Sequence, residues 1–386
     1  MTEAGVRFSS RNVTATIAAA LVCLLTMAPA ASAQEIEQSQ QHDFRIETLA
    51  DGLAHPWGLA FLPDGGLLIT ERPGRLRLYK DGALQPEPVA GVPEVVARGQ
   101  GGLLDVALHP DFAGNGLVYL SYSGAGEGGA STEVARARFD GAALHDLEVI
   151  FRAEPKVGGG NHFGSRLRFA GDGTLYVTLG DRYRYMKEAQ SLDNHLGTIV
   201  RLNDDGSVPD DNPFVGQRDA RPEIFSYGHR NVQGLAVQPG TGTLWAHEHG
   251  PQGGDELNIL KPGANYGWPA ITYGIDYSGA IISEKSEAPG MEQPVVYWVP
   301  SIAPSGMAFY DGDAFPEWRG DLFLGALSHL HLRRLEIEGE EVVAQEELLT
   351  GLSERIRDVH AGPDGLLYVL TDSSDGKLLR LAPAGP

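Results

Sequence analysis

The sequence predicts an all-β protein, a six-bladed β-propeller of four-stranded antiparallel blades, on three observations. One strand–turn–strand unit recurs six times. Between Asp64 and Asp364 the copies are spaced about 60 residues apart. The composition, with 50 glycines and 24 prolines in 386 residues, is that of a chain with many turns and no low-complexity tract. A four-stranded blade needs roughly 40–45 residues plus its loops, so six blades use the length that follows the leader and leave nothing for a second domain. Short radial sheets expose few edges, which suits an all-β chain without disulfides. A β-sandwich would not produce the recurrence.

The chain opens with a basic stretch carrying Arg7 and Arg11, an apolar run over 17–27, and a small-residue end at Ala31-Ser32-Ala33. This is the pattern of a cleaved secretory signal peptide over 1–33, and the run is too short for a membrane anchor. The expectation is therefore a periplasmic or secreted protein with no stable membrane insertion, whose single propeller domain spans 34–386. The one cysteine, Cys23, lies in the leader, and the residues before it do not suit a lipoprotein site. The mature chain then has no disulfide and no thiol chemistry. The formal charge is −21, and the leader contributes +1 through Glu3, Arg7 and Arg11, leaving −22. Nucleic acid, which wants a basic face, is excluded as a partner.

The six units follow in order. The first is 57–70, around Pro63-Asp64-Gly65. The second is 104–121, around His109-Pro110-Asp111. The third is 165–178, around Gly171-Asp172-Gly173. The fourth is 233–245, around Pro239-Gly240-Thr241-Gly242. The fifth is 306–325, turning between Asp311-Gly312 and Gly320. The sixth is 357–370, around Gly362-Pro363-Asp364-Gly365. Each pairs apolar β-formers with turn residues.

Loops at one end of the blades converge on a propeller axis, so residues far apart in sequence meet there. Immediately upstream of the second to sixth units stand Arg98 to Asp105, Gly158 to Gly164, His229-Arg230-Asn231, Trp298 to Ser305, and Glu354 to Arg357. The stretch 226–269 is the densest, with His229, Arg230, Asn231, Gln233, His247, Glu248, His249, Asp255 and Glu256 among turn-forming glycines. His162, in a glycine-rich loop that lets a ligand approach, is the candidate general base. Arg230, Arg355 and Arg357 place fixed positive charge around the axis of an acidic protein, and arginine forks suit carboxylates. Gln100 and Asn231 add neutral hydrogen-bonding groups. The run from His249 to Glu256 offers carbonyls and Asp255, hard oxygen ligands of the type calcium takes, while EF-hand and zinc spacings are absent. Asp204-Asp205-Gly206 and Asp210-Asp211-Asn212 read as a solvated acidic loop.

With these residues in view, the chain resembles the soluble quinoprotein glucose/sorbosone dehydrogenases, which include aldose sugar dehydrogenases. The resemblance rests on Gly99 to Leu104, Asn161-His162-Phe163-Gly164, Tyr227 to Gly234, Gly250-Pro251, Asn265-Tyr266-Gly267-Trp268-Pro269, Pro304-Ser305 and Arg355 to Asp358. The family's six-bladed fold agrees with the count of repeats. The resemblance implies two cofactors, pyrroloquinoline quinone (PQQ) and a calcium ion (Ca2+), and oxidation of the anomeric carbon of aldoses to lactones. Electrons would leave to an external acceptor, a quinone or a redox protein. It makes His162 the base and Arg230 the group that polarises the quinone oxygens. It also implies that Asn231, Arg355 and Arg357 hold the cofactor and that Gln100 meets both cofactor and substrate. The carbonyls of Gly250 and Pro251 would bind calcium, with Asp255 in or near its shell. On the substrate side it points to Asn161, where the glucose dehydrogenase pattern has an aspartate, and to Trp298 with Tyr297, at the aromatic residues that close over glucose. A lysine expected near Ser328 is missing. These departures favour broad aldose specificity. A calcium-dependent propeller lactonase and a non-catalytic binding propeller are the alternatives; the protein is a monomer or a homodimer.

Overall fold

Six antiparallel sheets form the blades. The computed structural model describes residues 1–2 and 36–385, so the expected leader and Cys23 lie outside the described residues apart from the first two. Blade 1 is Pro56–Phe61, Leu67–Glu71, Arg75–Lys80 and Ala83–Leu84; blade 2 is Leu103–Leu108, Leu117–Gly126, Gly129–Phe139 and Leu144–Arg152. Blade 3 is Leu167–Phe169, Leu175–Thr178, Thr198–Leu202 and Ile224–Tyr227; blade 4 is Val232–Val237, Leu244–Glu248, Asp255–Ile259 and Val296–Trp298. Blade 5 is Pro304–Phe309, Leu322–Ala326, His331–Glu338 and Glu341–Leu348. Blade 6 joins the two ends of the chain. Ile356–Ala361, Leu367–Thr371 and Gly376–Pro383 are completed by Phe44–Leu53, which pairs with Gly376–Pro383 and carries a further two-residue strand, Ile36–Glu37. Each repeat read from the sequence is the first two strands of one blade.

The first strands pack on one another in a closed ring and so line the axis. Leucine, valine and aromatic side chains fill the spaces between blades, as in the cluster of Phe44, Phe315, Trp318, Phe323 and Leu379 between blades 5 and 6. Burial of such side chains contributes about 1.5–3 kcal/mol each against exposure. Five of the six first strands carry a bulge near their upstream end, at Pro56/Leu59, Leu103/Val106, Val232/Gly234, Pro304/Met307 and Ile356/Asp358. A bulge re-aims the side chains next to it. The loops that carry the expected site residues enter at this end.

Below that ring of bulges, Arg166 ties the blades together. Its Nη1 lies 3.1 Å from Asp105 Oδ1 and 3.2 Å from Asp358 Oδ1, its Nε donates to the Gln233 carbonyl at 3.1 Å, and its guanidinium covers the Trp57 ring at 4.3 Å. The two carboxylates compensate a buried cation. In the 204–212 loop, Asp205 caps Ser207 at 2.9 Å and Asp211 pairs with Arg201 at 2.7 Å, as expected of a solvated acidic loop. Among the described residues no helix is long and apolar enough to cross a membrane.

Candidate active site

In an antiparallel blade, the start of the first strand and the end of the second lie at the same end. The site is built from both stations. His162 precedes the first strand of blade 3, and Asp181 follows its second strand. The ring Nδ1 lies 2.6 Å from Asp181 Oδ1. That carboxylate is itself fixed, because Oδ2 accepts from Trp268 Nε1 at 2.8 Å and Oδ1 from the Tyr183 backbone at 2.7 Å. His162 has a positive φ of 54°, held by its N–H donating to Gln100 Oε1 at 2.7 Å. Arg182 clamps the same loop, donating to the carbonyls of Asn161 and Gly159, each at 2.9 Å, with its guanidinium 3.7 Å above the Phe163 ring. Burial pushes the His162 imidazole below its ordinary value; the bond to Asp181 works against this, and the charges of Arg230 and Arg182 add to it. Since an ionised carboxylate only accepts, Nδ1 carries the hydrogen and Nε2 keeps its lone pair.

Arg230 and Asn231 precede blade 4. The Asp181 N–H donates to the Arg230 carbonyl at 2.9 Å, which ties the two loops. Gly180 makes this approach possible: a Cβ there would lie 2.4 Å from the His162 carbonyl oxygen and 3.0 Å from Asn231 Oδ1. Arg230 is buried, and its Nη1 donates to the carbonyls of His249 at 3.0 Å and Gly250 at 2.6 Å. Its guanidinium stands 5.3 Å from the Trp268 ring and 6.0 Å from that of Tyr277. Among the described residues it has no carboxylate partner. Asn231 Oδ1 accepts from Gly164 and Gln233, whereas its Nδ2 is buried with no partner.

The axial cavity beside these groups measures about 310 Å³. Its wall includes Gln100, Gln233, His249 and Tyr277, the contact partners of His162, Asn231 and Arg230, and on the far side Arg72, Arg355, Arg357 and Asp372. Arg357 Nη2 lies 2.7 Å and Arg355 Nη2 3.3 Å from Asp372 Oδ2. Burial raises the Asp372 pKa, yet the Arg357, Arg355 and Arg72 guanidiniums outweigh it and hold the carboxyl well below the usual range. The Nε atoms of Arg72 and Arg357 are buried without partners.

Three expected residues are placed differently from their neighbours. The cavity wall does not itself include His162, Arg230 or Asn231, which join it through Gln100, His249 and Gln233, and Trp298 stands away from it in another cluster. Trp298 ends the outermost strand of blade 4, packs with Leu257, Ile302 and Met307, and donates to Gln345 at 3.0 Å. Its exposed neighbours are Tyr297 and Val299. Asp255 begins the third strand of blade 4, and both its oxygens are taken by the Gly250, Ile302 and Ala303 N–H groups at 2.8–2.9 Å and by the Ser301 hydroxyl. It therefore anchors the loop that presents Gly250 and Pro251. Asn161 is exposed beside His162, and its backbone carbonyl accepts from Arg182 Nε at 2.9 Å. At Ser328 the hydroxyl donates to the Ser301 carbonyl at 2.9 Å.

Residues 53–380 match the glucose/sorbosone dehydrogenase family. The chain belongs to that family. An aldose sugar dehydrogenase of Escherichia coli K12 is 51% identical over 344 residues, covering 88% of this chain and 92% of the relative. A glucose dehydrogenase crystal structure superposes with a TM-score of 0.86 at 55% identity, over 88% of this chain and 99% of the other. The PQQ-bound form of an aldose sugar dehydrogenase from Streptomyces coelicolor does so with a TM-score of 0.73 at 31% identity, over 88% and 98%. Among glucose/sorbosone dehydrogenases, then, this chain pairs a buried His–Asp couple with an arginine-lined axial cavity.

Proposed function

We propose that this sugar dehydrogenase oxidises aldoses at the anomeric carbon, with PQQ held in the axial cavity and calcium beside it. The observation that carries the reading is the set of unmet donors there. Arg357 Nε and Arg72 Nε are buried without acceptors in the wall of a cavity ringed by guanidiniums, and Asn231 Nδ2 is a third such donor, on a side chain bonded to the wall residue Gln233. Buried donors left unpaired cost free energy, and a multiply carboxylated planar ligand supplies what they lack. When bound, PQQ would supply the hydride acceptor that turns the sugar into a lactone, with the electrons going on to an external acceptor.

The protein's own residues do the rest. Nε2 of neutral His162 takes the proton of the anomeric hydroxyl, while Asp181 holds the ring and favours the imidazolium that results. Arg230, fixed by two carbonyls, supplies positive charge where negative charge develops. Arg355, Arg357 and Asn231 hold the cofactor, and Gln100 joins its wall to the His162 backbone. Calcium would be held by the carbonyl oxygens of Gly250 and Pro251, the Gly250 oxygen using the lone pair that Arg230 Nη1 leaves free. Asp255 acts through the loop. The cavity accepts aldoses broadly, since Trp298 does not close over it.

The experiment is to add PQQ and calcium to the apo protein and to follow dye reduction with a panel of aldoses. Activity that requires both additions and is lost in His162→Ala supports the reading. No dye reduction with any sugar, in protein that stays folded, overturns it and directs attention to lactones.

A further inference from the structure

Arg72 stands directly after the second strand of blade 1, at the station that Asp181 occupies on blade 3. Its backbone is fixed: the carbonyl accepts from Leu103 at 3.1 Å, and a Cβ on Gly102 would lie 2.0 Å from the same oxygen. The side chain borders the axial cavity, where Nη1 donates to the Gly99 carbonyl at 2.6 Å and Nε is buried without a partner. Among the described residues it has no ion pair. The nearby counter-charge is Asp372, already engaged by Arg357 at 2.7 Å, Arg355 at 3.3 Å and His55 Nδ1 at 3.3 Å. Three guanidiniums facing one carboxylate leave a charge of +2 at this end of the cavity. Burial, together with Arg357 and Arg355, disfavours the charged form of Arg72, and the attraction of Asp372 only partly offsets this. An excess of this kind in a half-buried cavity is relieved by an anionic ligand.

We infer that Arg72 is a third cationic anchor for the cofactor, so that the end of the cavity between blades 1 and 6 receives two carboxylates. This rests on the PQQ reading above. Arg72 completes a clasp with Arg355 and Arg357, its fork entering the cavity from the blade next to theirs.

The test titrates PQQ into apo protein by isothermal calorimetry at two ionic strengths. Arg72→Met is expected to weaken binding about 10- to 100-fold and to flatten its salt dependence, as loss of a charge-assisted contact requires. Arg72→Lys should fall between, with the wild-type salt dependence. Wild-type affinity and salt dependence in Arg72→Met would overturn the inference, whereas wild-type protein that binds no PQQ would overturn the cofactor reading itself. Should Arg72→Met fail to fold, phenylglyoxal labelling of wild-type protein decides, read by peptide mass spectrometry. PQQ should shield Arg72, and equal labelling with and without bound PQQ counts against the anchor.

Discussion

Nδ1 of His162 and Oδ1 of Asp181 lie 2.6 Å apart, and this contact decides which ring nitrogen can work as a base. Both groups are buried, and Trp268 holds the carboxylate from its other side at 2.8 Å. The free lone pair is on Nε2.

Asp181→Asn should lower kcat by at least about 100-fold while leaving PQQ affinity near wild type, because the ring loses its orientation and the imidazolium its counter-charge. The pH dependence carries a second signature. If His162 is the base it acts when deprotonated, and burial lowers its pKa, so kcat/KM of the wild type should rise with pH along an acid limb centred below the ordinary histidine value. The Asp181 bond raises that pKa, so the variant's acid limb should move lower still. A limb centred above pH 7 in the wild type would count against His162 as the base.

Arg230→Met should reduce kcat by about 10²–10³-fold, the usual loss for a preorganised charge at a developing anion. Arg230→Lys should recover only part of it, since one ammonium cannot repeat a fork fixed on the His249 and Gly250 carbonyls. Single-turnover kinetics with saturating cofactor separate this from a binding defect.

Asn231→Leu removes the unpaired Nδ2 together with the acceptor for Gly164 and Gln233. PQQ affinity should drop roughly tenfold, the worth of one hydrogen bond, with a smaller change in the rate of the loaded enzyme. Calorimetry on the apo protein measures the first effect, and unchanged affinity would remove Asn231 from the cofactor's contacts.

Gly306→Ala should destabilise the fold by about 1–3 kcal/mol through overpacking at the axis. A Cβ there would lie 1.7 Å from Asp358 Oδ1 and 2.8 Å from its Cα, in the layer that Arg166 bridges. Gly171→Ala, which meets nothing within 4 Å, is the control and should leave thermal unfolding unchanged.

The architecture was legible because each repeat is local: two strands and a turn whose β-formers, glycines and prolines lie within about fifteen residues. The station upstream of each first strand was legible for the same reason, and it is where the proposed site draws His162, Arg230, Asn231, Gln100, Arg355 and Arg357. Asp181, Arg72 and Asp372 belong to the other station, just after the second strands, and were missed. Their signal was present in Thr70-Glu71-Arg72, Leu179-Gly180-Asp181 and Thr371-Asp372, charged residues ending apolar strands. Trp298 came from the resemblance alone, and only the folded blade shows that it ends a strand at the rim rather than near the axis. Asp255 looks like a ligand in sequence, and only its four neighbouring donor groups show that it is already occupied.

The pairing of Phe44–Leu53 with Gly376–Pro383 also sets an order of events. The ring has no independent half, since its sixth blade borrows a strand from the other end of the polypeptide. A nascent chain emerging residue by residue therefore holds five blades with nothing to complete the circle until its last strand is delivered. Arg355 and Arg357 sit on that same late blade. Arg72, Arg355 and Arg357 thus come to share one cavity only on closure, and a chain truncated before Gly376 should lose that cavity along with its circularity.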